Sequence, residues 1–144
     1  MEKVRRITSF SVDHDFIIPG IYVSRIDGDV TTYDLRTRRP NADDFMDNLT
    51  IHSLEHMFAT YVRNSEIADD VLYFGPMGCR TGFYLLMRDL DIDKVLPLTV
   101  EMLRLAVEFD TIPGSTKSEC GNYLEHDLEG AIREMKKYLS NITQ

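Results

Sequence analysis

Apolar and polar positions change period several times along this chain, and each change marks an element. From Phe10 to about Ile26 the two classes alternate loosely, cut by Pro19-Gly20, and a second run, Thr31 to Arg36, follows Asp27-Gly28-Asp29. Alternation on both sides of a Gly-bearing turn predicts two antiparallel strands. From Thr50, read as the N-cap, apolar residues recur at Leu54, Met57, Phe58, Tyr61 and Val62, which predicts a helix to about Asn64. Val71 to Phe74 and Thr81 to Met87 are strand-like runs separated by Gly75-Pro76-Met77-Gly78-Cys79-Arg80, a turn or bulge that presents Cys79 at a Gly-flanked break. Leu98 to Phe109 is amphipathic at helical spacing and is closed by Pro113-Gly114, and Leu124 to about Ile142 reads as a final helix. With no internal repeat, low-complexity tract or linker, the chain is expected to form a single domain over residues 1–144.

Composition narrows the partners more than the fold. A 144-residue chain with 43% hydrophobic and 28% charged residues can build one core. A formal net charge of −8 argues against nucleic acid or an anionic membrane, and Arg36, Arg38 and Arg39 form too short a basic cluster to reverse it. No apolar run reaches the length that spans a bilayer. Met1 to Arg6 is followed by no apolar stretch of the secretory type, so a cytoplasmic location is expected, with Cys79 and Cys120 as thiols or metal ligands.

The chemistry concentrates in His52-Ser53-Leu54-Glu55-His56. Imidazoles at i and i+4 lie on one helical face, so both can reach a single divalent cation. Glu55 lies between them in sequence and can lean to that face without being a ligand, as a general base beside a metal must. Two ligands leave such an ion undersatisfied, and Cys79, Cys120, His14, His126 or a distant Glu could complete the set. Taken singly, each has a plainer reading: a surface histidine for His14, a capping or surface group for His126, a strand arginine paired with an acid for Arg36, a small buried hydrophobe for either cysteine.

Three motifs in this order change the weight of those readings. His52-Ser53-Leu54-Glu55-His56, then Pro76-Met77-Gly78-Cys79-Arg80-Thr81-Gly82-Phe83-Tyr84, then Cys120-Gly121-Asn122-Tyr123 followed by His126 to Ala131, resemble S-ribosylhomocysteine lyase, the LuxS family. Phe10 to Asp15, Tyr33 to Arg36 and Pro40-Asn41 are similar to that family too, so the resemblance runs from about Ser9 to Ile142. It implies a homodimer of α+β subunits, each an antiparallel sheet covered by helices, with active sites at the interface. The implied metal ligands are His52, His56 and Cys120, and the acid/base pair is Cys79 and Glu55. Ser9, His14 and Arg36 match positions near the substrate. The implied metal is Fe(II), with Zn(II) or Co(II) as substitutes, and no organic cofactor is needed.

The implied reaction splits S-ribosylhomocysteine into homocysteine and 4,5-dihydroxy-2,3-pentanedione, the autoinducer-2 precursor used in quorum sensing, and so serves homocysteine recycling. The ribose carbonyl migrates from C1 to C2 and then to C3, after which β-elimination releases the thiol. A departure from the pattern is Tyr73, where members often carry Asp six residues before the catalytic Cys, so the amino group of the substrate is expected to be held differently. The chain also ends at Gln144 without the longer tail of some members. Two rival readings share the first motif: a metallohydrolase of the HxxEH type, and a non-catalytic domain stapled by a His/Cys metal site with Cys79 as a further ligand.

Overall fold

The computed structural model describes residues 13, 16–42, 45–88 and 91–143. Four strands form one antiparallel sheet: β1 (Gly20–Asp27), β2 (Val30–Arg36), β3 (Val71–Pro76) and β4 (Gly82–Arg88), in the order β1-β2-β4-β3. Three helices, α1 (Asn48–Arg63), α2 (Ile92–Ala106) and α3 (Leu128–Ile142), complete an α+β architecture. The β1–β2 hairpin turns at Asp27 and Val30 through Gly28, whose φ of 62° is the left-handed conformation such a turn requires.

Strands β2 and β4 place alternate residues on the core, as their period of two dictates, and a bulge between Val71 and Tyr73 shifts that period in β3. Tyr33 and Leu35 of β2, Phe83, Leu85 and Met87 of β4, and Val71 and Phe74 of β3 are buried together with Leu54, Met57, Phe58 and Val62 of α1, Leu103 of α2 and Met135 of α3. Phe74 stacks on Phe83, ring centroids 5.1 Å apart, and tilts against Phe58 at 4.7 Å. Asp34 and Arg36 alternate with Tyr33 and Leu35 in unbroken register against β4, so they project from the other face, yet each is only 2% exposed.

Helix boundaries differ from the expected ones for physical reasons. Asp47, not Thr50, caps α1: its carboxylate accepts the Thr50 N–H at 2.8 Å, so Thr50 is the residue being capped. Helix α2 begins at Ile92 rather than Leu98, because Asp91 caps Lys94 and the helix carries Pro97 inside it, at the cost of one backbone hydrogen bond. It ends at Ala106, and Phe109 lies in the turn beyond with its ring 4.5 Å from that of Tyr61. Helix α3 begins at Leu128 under an Asp127 cap, leaving Leu124 outside it and 77% exposed. Pro19 precedes β1 instead of cutting a longer strand, and Phe10 to Val12 lie outside the described residues. No helix among the described residues is long and apolar enough to cross a membrane.

Candidate metal centre and active site

Helix α1 buries Ile51, Ser53, Leu54, Met57 and Phe58 and leaves His52, Glu55 and His56 half-buried along the edge of that stripe. Two loops close over the edge. In the first, Pro113-Gly114 approaches so closely that a Cβ on Gly114 would stand 3.4 Å from His56 Nδ1, and φ there is +67°, so the turn needs glycine. In the second, residues 120–127 bring Cys120 and His126 to the same place. The result is a compact group: one donor atom from each of His52, His56, Cys120 and His126, all within 4.8 Å of one another. Cys120 Sγ is 3.4 Å from His52 Nε2, 4.0 Å from His56 Nε2 and 3.7 Å from His126 Nε2.

These separations fit a tetrahedral divalent ion. Metal–sulfur and metal–nitrogen bonds of about 2.3 and 2.05 Å at the tetrahedral angle put sulfur and nitrogen roughly 3.5 Å apart. The hydrogen bonds on the far side of two rings add a chemical test. His52 Nδ1 is 2.8 Å from the Glu125 carbonyl and His56 Nδ1 is 2.9 Å from the Pro113 carbonyl. A carbonyl only accepts, so each neutral ring carries its proton on Nδ1 and turns an Nε2 lone pair toward Cys120. Among the described residues Glu55 makes no hydrogen bond or ion pair.

His126 neither caps α3 nor lies free on the surface. Asp127 is the cap, with its carboxylate 2.9 Å from the Gly130 N–H, and the His126 ring stacks on His52 with centroids 4.0 Å apart. Burial, then the neighbouring His52 and His56, push its pKa below the usual 6.5, with Glu125 opposing. Its nearness in sequence to Cys120 was the available signal; the contact with α1 that fixes its orientation was not readable locally.

Cys79 lies outside the four-donor group and is exposed. It occupies the β3–β4 turn, where the Arg80 N–H reaches the Met77 carbonyl at 3.1 Å and Arg80 adopts φ 63°. Its Sγ is 3.0 Å from Thr81 Oγ1, and Arg36 Nη1 is 2.9 Å from the same oxygen. The guanidinium can only donate there, and Thr81 is 1% exposed, so the hydroxyl proton is turned to the sulfur. Arg36 is itself held by Asp34 at 2.6 Å, a pair with side chains 2% and 3% exposed. A buried charge therefore stands behind Cys79, passed on through one hydroxyl.

Ser9 and His14 lie outside the described residues. Tyr73 is 53% exposed on β3, paired with Leu86, and its ring lies over Gly75, where any side chain would collide with it.

Fold and donor set together define the class: an α+β protein whose His/Cys group could hold one divalent ion. The chain belongs to the S-ribosylhomocysteinase (LuxS) family, whose model matches residues 7–144. It is 43% identical over 145 residues to the S-ribosylhomocysteine lyase of Clostridium beijerinckii, covering 96% of this chain and 88% of that one. It is 45% identical over 147 residues to the S-ribosylhomocysteine lyase of Borreliella afzelii, covering 94% and 91%, and 43% identical over 148 residues to that of Phocaeicola vulgatus, covering 98% and 92%. These relatives are carbon–sulfur lyases by name.

Proposed function

We propose that this chain cleaves S-ribosylhomocysteine to homocysteine and 4,5-dihydroxy-2,3-pentanedione by two carbonyl migrations and a β-elimination. The observation that carries the reading is the pair of Nδ1-protonated imidazoles on α1 that aim Nε2 at Cys120, with Glu55 between them in sequence. His52, His56 and Cys120 hold the cation, Fe(II) by family likeness and Zn(II) or Co(II) as replacements. When bound, it supplies Lewis-acid stabilisation of negative charge on the sugar oxygens as carbon-bound protons leave.

The chain's own groups move those protons. Cys79 Sγ takes one from C2 and delivers it to C1 as the carbonyl passes from C1 to C2, with the Thr81 hydroxyl, fixed by Arg36, donating to the sulfur. In the second migration Glu55 takes the C3 proton and delivers it to C2, so that the carbonyl passes to C3. It then removes the C4 proton, whose electron pair forms the C4–C5 double bond as the C5–S bond breaks and homocysteine departs with the sulfur pair. The enol left behind tautomerises to the dione. Ser9 and His14 are assigned to substrate positioning by resemblance, and Arg36 acts from behind Cys79 because it is buried.

A homodimer with sites at the interface belongs to the same proposal. Its support is that Tyr123 and Leu124, just beyond Cys120, leave 40% and 77% of their surfaces uncovered. Two free thiols suit a cytoplasmic location. The metallohydrolase reading gains nothing from a thiol in the donor group, and the stapled-domain reading loses Cys79 as a ligand.

The test is release of free thiol from S-ribosylhomocysteine by anaerobically purified protein. Wild type should turn over, and Glu55→Gln should lower kcat by about 10²–10⁴-fold, the usual worth of a general acid/base. Full activity in Glu55→Gln removes its assigned role, and no thiol release by metal-loaded wild type removes the function.

A further inference from the structure

Distance alone makes His52, His56 and His126 equivalent, since all three turn Nε2 toward Cys120 Sγ at 3.4, 4.0 and 3.7 Å. Their protons do not. His52 and His56 each face a backbone carbonyl with Nδ1, which forces the proton onto that atom and leaves Nε2 as a lone pair. His126 Nδ1 faces a hydroxyl instead, Ser53 Oγ at 3.0 Å, and a hydroxyl can donate or accept.

Ser53 settles the direction. It is 0% exposed, and its oxygen already accepts the Asp127 backbone N–H at 2.7 Å. Its own proton needs an acceptor, and the remaining partner of Ser53 Oγ among the described residues is His126 Nδ1. Were the ring to donate, the hydroxyl proton would be left unbonded in a place closed to water, an arrangement that buried donors rarely adopt. Ser53 therefore donates to Nδ1. A neutral imidazole so bonded carries its proton on Nε2, the atom that points at the sulfur.

We infer that His126 is not a metal ligand but a positioning residue that donates its Nε2–H to the Cys120 thiolate, leaving His52, His56 and Cys120 as the shell. This rests on the metal reading given above. Asn122 N–H approaches the same sulfur at 3.4 Å, so two donors converge on it from its own loop. Hydrogen bonds to a ligating thiolate withdraw charge from the sulfur and so from its bond to the metal, which makes the ion a stronger Lewis acid. The stacked His52 ring, 4.0 Å away, holds the donor in place.

Cadmium-113-loaded wild type with ¹⁵N-labelled imidazoles reads the proton positions directly. The assignment expects Nδ1–H tautomers at His52 and His56 with nitrogen–cadmium coupling at Nε2, and an Nε2–H tautomer at His126 without coupling. Cadmium coupling at His126 overturns the assignment alone, whereas its absence at His52 and His56 overturns the metal site and the assignment with it. In the cobalt-loaded protein, His126→Phe should keep one metal per chain but shift the sulfur-to-cobalt charge-transfer band, and His126→Gln, which retains an N–H, should shift it less. A metal content in His126→Phe as low as in His52→Ala contradicts the proposal.

Discussion

The two thiols of this chain sit in opposite settings, and the contrast separates holding from reacting. Cys120 is half-buried among three imidazoles and accepts the Asn122 N–H from its own loop. Cys79 is exposed on a hairpin turn, hydrogen-bonded among the described residues to the Thr81 hydroxyl, which a buried Arg36–Asp34 pair holds from behind. A ligand benefits from enclosure, because rigid neighbours fix its geometry and exclude competitors. A proton carrier has to meet substrate, so its supporting charge is placed on the far side and passed through one rotatable group. Sequence chemistry is the same in both places, and the surroundings assign the work.

The strongest way to break this contrast is to remove a ligand. Roughly 12 kcal/mol of metal binding spread over three protein ligands is about 4 kcal/mol each, so His52→Ala should weaken metal affinity by about 10³-fold, read by competition with a chelator. Affinity unchanged within about threefold would show that the histidine cluster is not the holding site.

Next in size is the support of Cys79. Arg36→Met leaves Asp34 buried without its counter-charge and should cost about 3–5 kcal/mol in denaturant unfolding, with metal content per folded chain unchanged. Thr81→Val keeps the shape of the side chain but interrupts the relay. It should cost about 1–3 kcal/mol and slow alkylation of Cys79 by iodoacetamide at neutral pH, with Thr81→Ser restoring the rate. An alkylation rate equal to wild type in Thr81→Val would cut the link between the buried charge and the thiol.

The smallest effect lies away from both thiols. Tyr138 is buried and donates to the Gly20 carbonyl at 2.8 Å, and desolvation, with Asp34 and Tyr22 adding to it, pushes its pKa well above 10. The native state therefore keeps a proton that the unfolded chain releases near pH 10. Stability from this group is present below that pH and is lost above it, by up to about 1.4 kcal/mol per pH unit. Tyr138→Phe should be weaker by about 0.5–1.5 kcal/mol at neutral pH and show a shallower decline in alkali, measured by urea unfolding from pH 8 to 11. An equally steep decline would mean that Tyr138 is not the group responsible.

What was legible in the sequence was what depends on short spacing. His52, Glu55 and His56 share a helical edge because the period of a helix puts them there, and the motifs around Cys79 and Cys120 carried the family likeness. The strands of the hairpins were readable from alternation and Gly-bearing turns. Helix starts were not: the amphipathic run read from Leu98 begins more than a turn late because α2 runs through Pro97, and Thr50 resembles a cap although Asp47 outcompetes it. His126 looked like a surface group since its orientation depends on Ser53, 73 residues away, and the tie from Arg36 to Cys79 passes through Thr81, 45 residues from Arg36. Both contacts exist only after the chain has closed.

The division of labour between the two thiols is tested most directly by measuring metal content and homocysteine release together on Cys79→Ala. One metal per chain with turnover lowered by about 10²–10⁴-fold is the expected result, because the proposed role of Cys79 is to move protons and it lies outside the donor group. A variant that loses its metal, or one that releases homocysteine at the wild-type rate, would contradict it.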